Sequence, residues 1–150
     1  MKYNVIRTLA ARYHIRLMYL FGSQTERGRR YLEGKDAEPE LLSDLDVAIV
    51  FENPPTEAMK TYGVLFREIS EIFAPFSIDL VFMHEVGSLF QYQIIKGFRI
   101  YEEAESVADD FEERVMKMAE DLSFKKRVFD DDVMDAIENG YFEFEYSPHS

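Results

Sequence analysis

Three short apolar runs, two of which carry acidic residues, are the feature that most constrains the fold of this 150-residue chain. Continuous apolar runs of this length are typical of buried strands. Asp44 and Asp46 open the second run, and Asp79 lies inside the third. An unpaired carboxylate is costly to bury, so acids in these positions indicate a functional site at the strands. The runs cover residues 17–21, 47–51 and 78–82.

The three acids are candidates for a metal site. Side chains alternate along a strand, so Asp44 and Asp46 point to one face with alpha carbons roughly 6–7 Å apart. Two carboxylates at that spacing can share a pair of divalent ions, which stabilise the attacking and leaving oxygens of a transfer reaction. Mg²⁺ fits best because it prefers carboxylate and phosphate oxygens. Taken alone, the Asp-x-Asp pattern is also typical of solvated acids at the start of a strand.

Gly22 and Ser23 directly follow the first apolar run and precede a helix predicted over residues 24–31. This order predicts Ser23 as the N-cap of the helix, with backbone amides that can bind a phosphate group. Gly22 has no side chain to keep a phosphate from the backbone, and the Ser23 hydroxyl adds a donor. Gly22 and Ser23 are therefore the candidate phosphate-binding residues.

The remaining pattern mixes helices with a fourth strand. Strands and helices in a chain of this length predict an α/β (α+β) domain with a small β-sheet flanked by helices. Further helices are expected over residues 3–16, 56–73 and 88–96, and the fourth strand over 98–101. Six apolar residues at helical spacing are expected to form one core face: Met59, Tyr62, Leu65, Phe66, Ile69 and Phe73.

The last third of the chain differs in pattern from the rest. A long helix is predicted from Ala104, and its narrow apolar stripe fits either internal packing or docking on a partner helix. Asp130–Asp132 is expected to start another helix, because acids suit the positive helix end. Phe142, Phe144 and Tyr146 then alternate with acids, which is typical of an added strand or a frayed terminus. The stripe consists of Val107, Phe111, Val115, Met118 and Leu122.

The net charge of -12 is concentrated in that last third. Residues 1–101 carry 12 basic and 13 acidic side chains, whereas residues 102–150 carry 5 and 16. We therefore divide the chain into a domain at 1–101 and an acidic helical extension with a tail at 102–150. Enzymes that act on polynucleotides need a basic track to offset phosphates, so this distribution argues against a nucleic acid substrate.

Composition adds two exclusions and one expectation. The chain has no cysteine, so disulfides and thiolate metal sites are excluded. No apolar stretch is long enough to span a membrane. The first residues form an amphipathic pattern and not a signal peptide, which predicts a cytoplasmic protein.

With these motifs in place, the chain resembles the nucleotidyltransferase superfamily. Within it, residues 1–101 are similar to the minimal nucleotidyltransferases (MNT), in particular to the MntA-type antitoxins paired with HEPN-domain ribonuclease toxins. The resemblance implies a mixed sheet of the polymerase-beta type. The matching segments are Tyr19–Ser23, Ser43–Val50, Ser77–Val81 and Gln93–Tyr101.

The resemblance also implies roles for the candidate residues. Gly22 and Ser23 would hold the triphosphate of ATP, and Asp44 and Asp46 would bind Mg²⁺. Asp79 would complete the acidic triad as a metal ligand or general base. A protein of this kind moves AMP onto a tyrosine of its toxin partner and silences it.

One segment departs from the family motif. Twenty residues separate Ser23 from Asp44, more than the motif has, and Arg27-Gly28 is displaced by one position. The inserted residues, 27–42, start with four basic side chains and continue with acidic ones. They fit either a mobile surface loop or a basic lid over the phosphates.

Three functions are consistent with the sequence. The first is an Mg²⁺-dependent protein adenylyltransferase, an antitoxin that adds AMP to a HEPN-type toxin bound through the acidic C-terminal region. The second is a small-molecule nucleotidyltransferase, such as one acting on aminoglycosides, whose cationic substrate would suit the acidic surroundings. The third is an antitoxin that inhibits by binding alone.

Overall fold

The computed structural model describes residues 2–139, in which four strands and five α-helices alternate. The apolar runs at 17–21, 47–51 and 78–82 form strands, as the sequence predicts. A short 3₁₀ turn, Met83–Glu85, follows the third strand. In chain order the elements are α1 Tyr3–Tyr13, β1 Ile15–Phe21, α2 Thr25–Leu32, β2 Leu45–Phe51, α3 Ala58–Phe73, β3 Ile78–Phe82, α4 Ser88–Ile95, β4 Phe98–Glu102 and α5 Glu105–Glu138.

The strands form one mixed sheet in the order β3-β2-β1-β4. β1 pairs antiparallel with β2 and β4, whereas β2 and β3 are parallel and joined through α3. The predicted small mixed sheet flanked by helices is therefore confirmed. The register pairs Asp46 with Phe21 on one side and with Asp79 on the other, so the second and third acids are neighbours.

Each face of the sheet is covered by its own layer of helices. Odd-numbered residues of β2 (Leu45, Val47 and Ile49) pack into a core with side chains of α1, α2 and α3. Ala48 and Val50 face the other way and pack against α4 and the start of α5. Because side chains alternate, Asp46 lies on the α4 and α5 face, at its end nearest the start of β2.

Of the six residues predicted to form the core face of α3, three are buried and three are exposed. Leu65, Ile69 and Phe73 are fully buried, but Tyr62 and Phe66 are exposed and stack on each other. Met59 is 91% exposed and lies in the first turn of the helix, which begins only at Ala58.

The separate helix predicted from Asp130–Asp132 is also wrong. α5 is continuous from Glu105 to Glu138, since no glycine or proline interrupts those residues. Its first half packs mainly on α4 and also on β4, and its buried side chains are Ala108, Val115 and Ala119. Residues 120–132 are exposed throughout, so the apolar stripe leaves the body of the protein near Leu122.

The alternating segment at Phe142, Phe144 and Tyr146 lies outside the described residues. None of the helices within residues 2–139 is both long and apolar enough to cross a membrane.

Candidate active site

Gly22 ends β1 in a turn that lies directly against Asp46. Its φ is +79°, a left-handed conformation that glycine adopts without strain. A Cβ atom at this position would lie 2.2 Å from Oδ2 of Asp46, which is far inside van der Waals contact. Only glycine therefore lets the turn approach the acid this closely, and the predicted phosphate-binding and acidic residues meet here.

The prediction that Ser23 caps the next helix is wrong. α2 begins at Thr25, and the cap position belongs to Gln24, which makes no side-chain capping bond. The reason is a turn before the helix, in which the Thr25 backbone N–H and hydroxyl both donate to the Gly22 carbonyl, at 3.4 and 2.9 Å. Ser23 is left exposed in this turn, next to Gly22.

Asp46 and Asp79 form the centre of the acidic site. They are register partners on parallel strands, and their side chains point to the same face. Burial raises the pKa of Asp46 from 3.8 to about 6, and the negative charges of Asp79 and then Asp44 add to the shift. Ionisation of Asp46 in the folded protein therefore costs free energy.

Asp44 lies one residue before β2 and is exposed. It is close enough to influence the charge on Asp46, but the described residues contain no set of three acidic or histidine side chains already converged on one point. The structure thus brings Asp46 and Asp79 together and places Asp44 at their edge. The assignment of all three as metal ligands stays a prediction.

The acidic site fits a divalent metal ion. Its donors are all carboxylate oxygens, the ligands that Mg²⁺ prefers. A cation beside Asp46 would offset the repulsion and burial that raise its pKa. The space above Gly22 that a side chain would fill leaves room for a ligand against Asp46.

Gln24 is a site residue that the sequence analysis missed. Its side chain is 1% exposed and is the single buried polar side chain among residues 2–139. Its amide nitrogen donates to the Ser43 carbonyl at 2.7 Å, and its amide oxygen accepts from the Glu40 backbone N–H at 2.9 Å. Gln24 therefore connects the Gly22 turn to the segment that leads into Asp44. Its position directly after Gly-Ser was the one available signal.

The two bonds of Gln24 hold the ends of a tight turn, Glu40–Ser43, which we name the leucine turn. The Ser43 N–H donates to the Glu40 carbonyl at 3.4 Å. Leu41 and Leu42 occupy the tip and are 90% and 103% exposed. Leu42 has a φ of +68°, a conformation that costs a bulky residue about 1–2 kcal/mol.

The inserted residues 27–42 thus divide into two parts. Residues 27–32 belong to α2, and the rest connect α2 to β2 without regular structure. Arg27 and Arg30 line an open cleft of about 450 Å³ together with residues 36–39. That Arg27 and Arg30 cover the phosphates as a basic lid stays a prediction. The end of the inserted segment next to Asp44 is held in place by Gln24.

His84 lies away from the acids. It follows β3 at the end opposite Asp79 and packs against Phe82, with ring centroids 5.9 Å apart. It has no place in the acidic site.

A mixed four-stranded sheet with a glycine turn against paired acids defines a class of nucleotide-transferring proteins. The family described as Polymerase beta, Nucleotidyltransferase matches residues 4–106, more than half of the chain. The protein belongs to this family, which confirms the resemblance and the polymerase-beta-like fold. Among curated proteins, none matches the sequence.

Solved structures of toxin–antitoxin proteins share the fold. A mutant MntA–HpeT toxin–antitoxin matches with a TM-score of 0.63 and 18% identity over 89% of this chain and 99% of the other. An MNT antitoxin in complex with a tri-AMPylated HEPN toxin of Shewanella oneidensis gives 0.60 and 18% over 89% and 96%. A toxin–antitoxin structure with AMP-PNP gives 0.61 and 19% over 89% and 99%. At these identities the likeness establishes the fold alone.

Proposed function

We propose that this protein transfers AMP from ATP to a tyrosine of a HEPN-family ribonuclease toxin, and thereby acts as its antitoxin. The observation that carries the proposal is the contact between the Gly22 turn and Asp46, which puts a phosphate-binding backbone against paired carboxylates. Family membership supports nucleotidyl transfer. The fold shared with MNT antitoxins, one of them in complex with an AMPylated HEPN toxin, supports the choice of acceptor.

Each site residue has a role in this reaction. Gly22 and Ser23 hold the β- and γ-phosphates through the turn backbone and the exposed hydroxyl. Asp44, Asp46 and Asp79 would hold two Mg²⁺ ions, which neutralise charge on the phosphates and align the α-phosphate when bound. Catalysis of this kind depends on positioning and charge neutralisation, which the rigid pairing of β2 with β3 provides.

The transfer step is a substitution at phosphorus. The tyrosine oxygen of the acceptor forms a bond to the α-phosphorus, and the bond from that phosphorus to the oxygen bridging to the β-phosphate breaks. Pyrophosphate leaves toward Gly22 and Ser23. Asp79, the exposed member of the acid pair, accepts the phenolic proton if it acts as the general base and not as a metal ligand.

The acidic C-terminal region is the proposed contact with the toxin. We place the catalytic domain at 1–101 and the partner-binding extension at 102–150, in a cytoplasmic protein. The second half of α5 supports this division, because its apolar side chains are exposed alongside a dense set of acids. Exposed apolar residues include Leu122, Phe124, Phe129 and Ile137.

The test is incubation of the protein with α-labelled ATP, Mg²⁺ and the HEPN-family protein encoded beside it. We expect label on a tyrosine of the partner, and loss of that label in Asp44→Asn and Asp46→Asn. Asp36→Asn is the matched control, since it removes an exposed acid of the preceding loop that lies outside the acid pair. A partner that stays unlabelled with the wild-type protein would contradict the proposal.

The same experiment separates the other two functions. The acidic surroundings of the site favour a cationic acceptor in the second of them, and label on an added aminoglycoside would support it. Inhibition of the partner's ribonuclease activity without any label would support inhibition by binding alone.

A further inference from the structure

We propose that Leu41 and Leu42 form a docking point for the protein acceptor, inserting into an apolar pocket of that protein ringed by basic side chains. The inference rests on the proposed function and deepens it, because it names the surface that directs a macromolecular acceptor to the nucleotide site. Its evidence is the leucine turn, Glu40–Ser43.

The two leucines do nothing for the stability of this chain. At 90% and 103% exposure, neither side chain is buried within the part of the chain that the structure describes, residues 2–139. Leu42 also occupies the third position of the turn at a φ of +68°, where turns favour glycine or asparagine. A residue that is both exposed and strained points to a role in function and not in folding.

The leucine turn is held in place and is close to the acids. Gln24 bonds to its first and last residues, and the Gln24 side chain is itself buried. Asp44 follows the turn directly, and Asp46, the register partner of Asp79, lies two residues later. A protein bound at the leucines would therefore be positioned beside the site of transfer.

Charge selects the kind of partner. Residues 36–46 contain five carboxylates and no basic side chain, so the segment that carries the leucines is acidic, and the nearby Arg27 and Arg30 line a cleft with its first four residues, 36–39. A nucleic acid or an anionic membrane would be repelled by this surface. A second copy of the chain, with the same charge of -12, would also be repelled. An apolar pocket with a basic rim is the complement.

The experiment compares the full-length wild-type protein with the double variant Leu41→Ser, Leu42→Asn. AMP transfer from α-labelled ATP to the HEPN-family acceptor is measured as kcat/KM for the acceptor, with binding of AMP-PNP and Mg²⁺ measured in parallel. We expect transfer to fall about 10-fold to 100-fold, as partial burial of the two leucines in the acceptor predicts, with nucleotide affinity unchanged. The melting temperature should not fall, because asparagine tolerates the left-handed backbone better than leucine.

The matched control is Met59→Ser, which removes an apolar side chain of similar exposure, 91%, in the first turn of α3. This control should transfer AMP as the wild-type protein does. Equal transfer by the double variant would overturn the inference while the proposed function stands. A wild-type protein that labels no acceptor would instead overturn the proposed function.

Two further outcomes would also overturn it. One is a change in oligomeric state of the double variant without any acceptor, which would show that the leucines serve self-association. The other is binding of the wild-type protein, but not of the double variant, to phosphatidylcholine–phosphatidylglycerol vesicles, which would assign the leucines to a lipid surface.

Discussion

At the scale of single residues, Gln24 decides how the two halves of the site are joined. The pairing of β1 with β2 places the Gly22 turn against Asp46, but Asp44 precedes β2, so its position also depends on the segment between the two strands. Gln24 fixes the end of that segment, because its buried side-chain amide hydrogen-bonds directly to the backbone of Glu40 and Ser43. The longer connection between the two motifs therefore ends in a fixed position beside Asp44.

Replacing Gln24 with alanine should disturb the site more than its fold. The change removes two buried hydrogen bonds and leaves the Glu40 N–H and Ser43 carbonyl without their partner, which costs about 1–3 kcal/mol. Because Asp44 follows Ser43, we expect the concentration of Mg²⁺ needed for half-maximal transfer to rise severalfold. Ser43→Ala is the control, since Ser43 contributes its backbone carbonyl and not its hydroxyl. Equal Mg²⁺ dependence in both variants would rule out a positioning role for Gln24.

Asp46 should reduce the stability of the metal-free protein at neutral pH. Its pKa in the folded protein is raised from 3.8 to about 6, so the fold favours the protonated form. The stability linked to that proton is complete below pH 4 and is lost as the pH rises through 6. We expect Asp46→Asn to raise the free energy of unfolding at pH 7.5 by about 1 kcal/mol after allowance for solvent screening.

Denaturant unfolding in the presence of a chelator checks this expectation at two pH values. At pH 4 the two proteins should be nearly equal in stability, because Asp46 is then largely neutral in the wild type. Asp36→Asn should show no comparable gain at pH 7.5. A loss of stability in Asp46→Asn at neutral pH would contradict the inference that the ionised Asp46 destabilises the folded protein.

At this scale, the sequence could predict which glycine and which acids belong to the site, but not the helix cap or the buried amide. Gly22 and Asp46 were predictable because a Gly-Ser turn after one apolar run and an Asp-x-Asp pattern at the next occur in order, a combination more specific than either motif alone. The Ser23 cap was wrong because several polar residues in a row can each begin a helix, and tertiary contacts choose among them. Gln24 was missed because an amide side chain carries no pattern until its partners are known.

At the scale of elements, strands were easier to predict than the extent and faces of helices. The strands are continuous apolar runs buried on both sides, which is a strong local signal. Helical spacing alone did not show that Met59 precedes the covered part of α3. It also did not show that the apolar stripe of α5 is buried at Val115 and exposed by Leu122.

The two halves of α5 should therefore respond differently to substitution. Val115 is 4% exposed and lies in the half of α5 that packs on α4 and β4, where an ion pair between Arg99 and Glu112 also attaches the helix. Val115→Ala should lower the free energy of unfolding by about 1–3 kcal/mol, since it opens a cavity. Phe129→Ser should change it by less than about 0.5 kcal/mol, since Phe129 is 66% exposed. Thermal unfolding of both variants tests this, and similar losses would mean that the second half of α5 packs against the body.

At the scale of the whole molecule, charge and family likeness divide the chain at nearly the same place. The family match ends at residue 106, and the excess of acids begins at residue 102. The paired acids lie in the nearly neutral part, whereas the exposed half of α5 lies in the acidic part. The proposed transfer site and the proposed contact of the extension with the partner are therefore on different segments of the chain.

Part of the affinity for the proposed partner should therefore depend on salt through the acidic extension. We expect neutralisation of Asp130–Asp132 with asparagine to weaken binding of the HEPN-family partner severalfold at about 50 mM salt, because steering and attraction between opposite charges are strongest there. At about 500 mM salt, screening should bring the variant and the wild type close together. Calorimetry at both salt concentrations measures the difference, with a variant that replaces three exposed acids of the nearly neutral part by glutamine as the control. An affinity that is equal for variant and wild type at low salt would mean that the partner binds elsewhere on the molecule. The control positions are Glu57, Glu71 and Glu85.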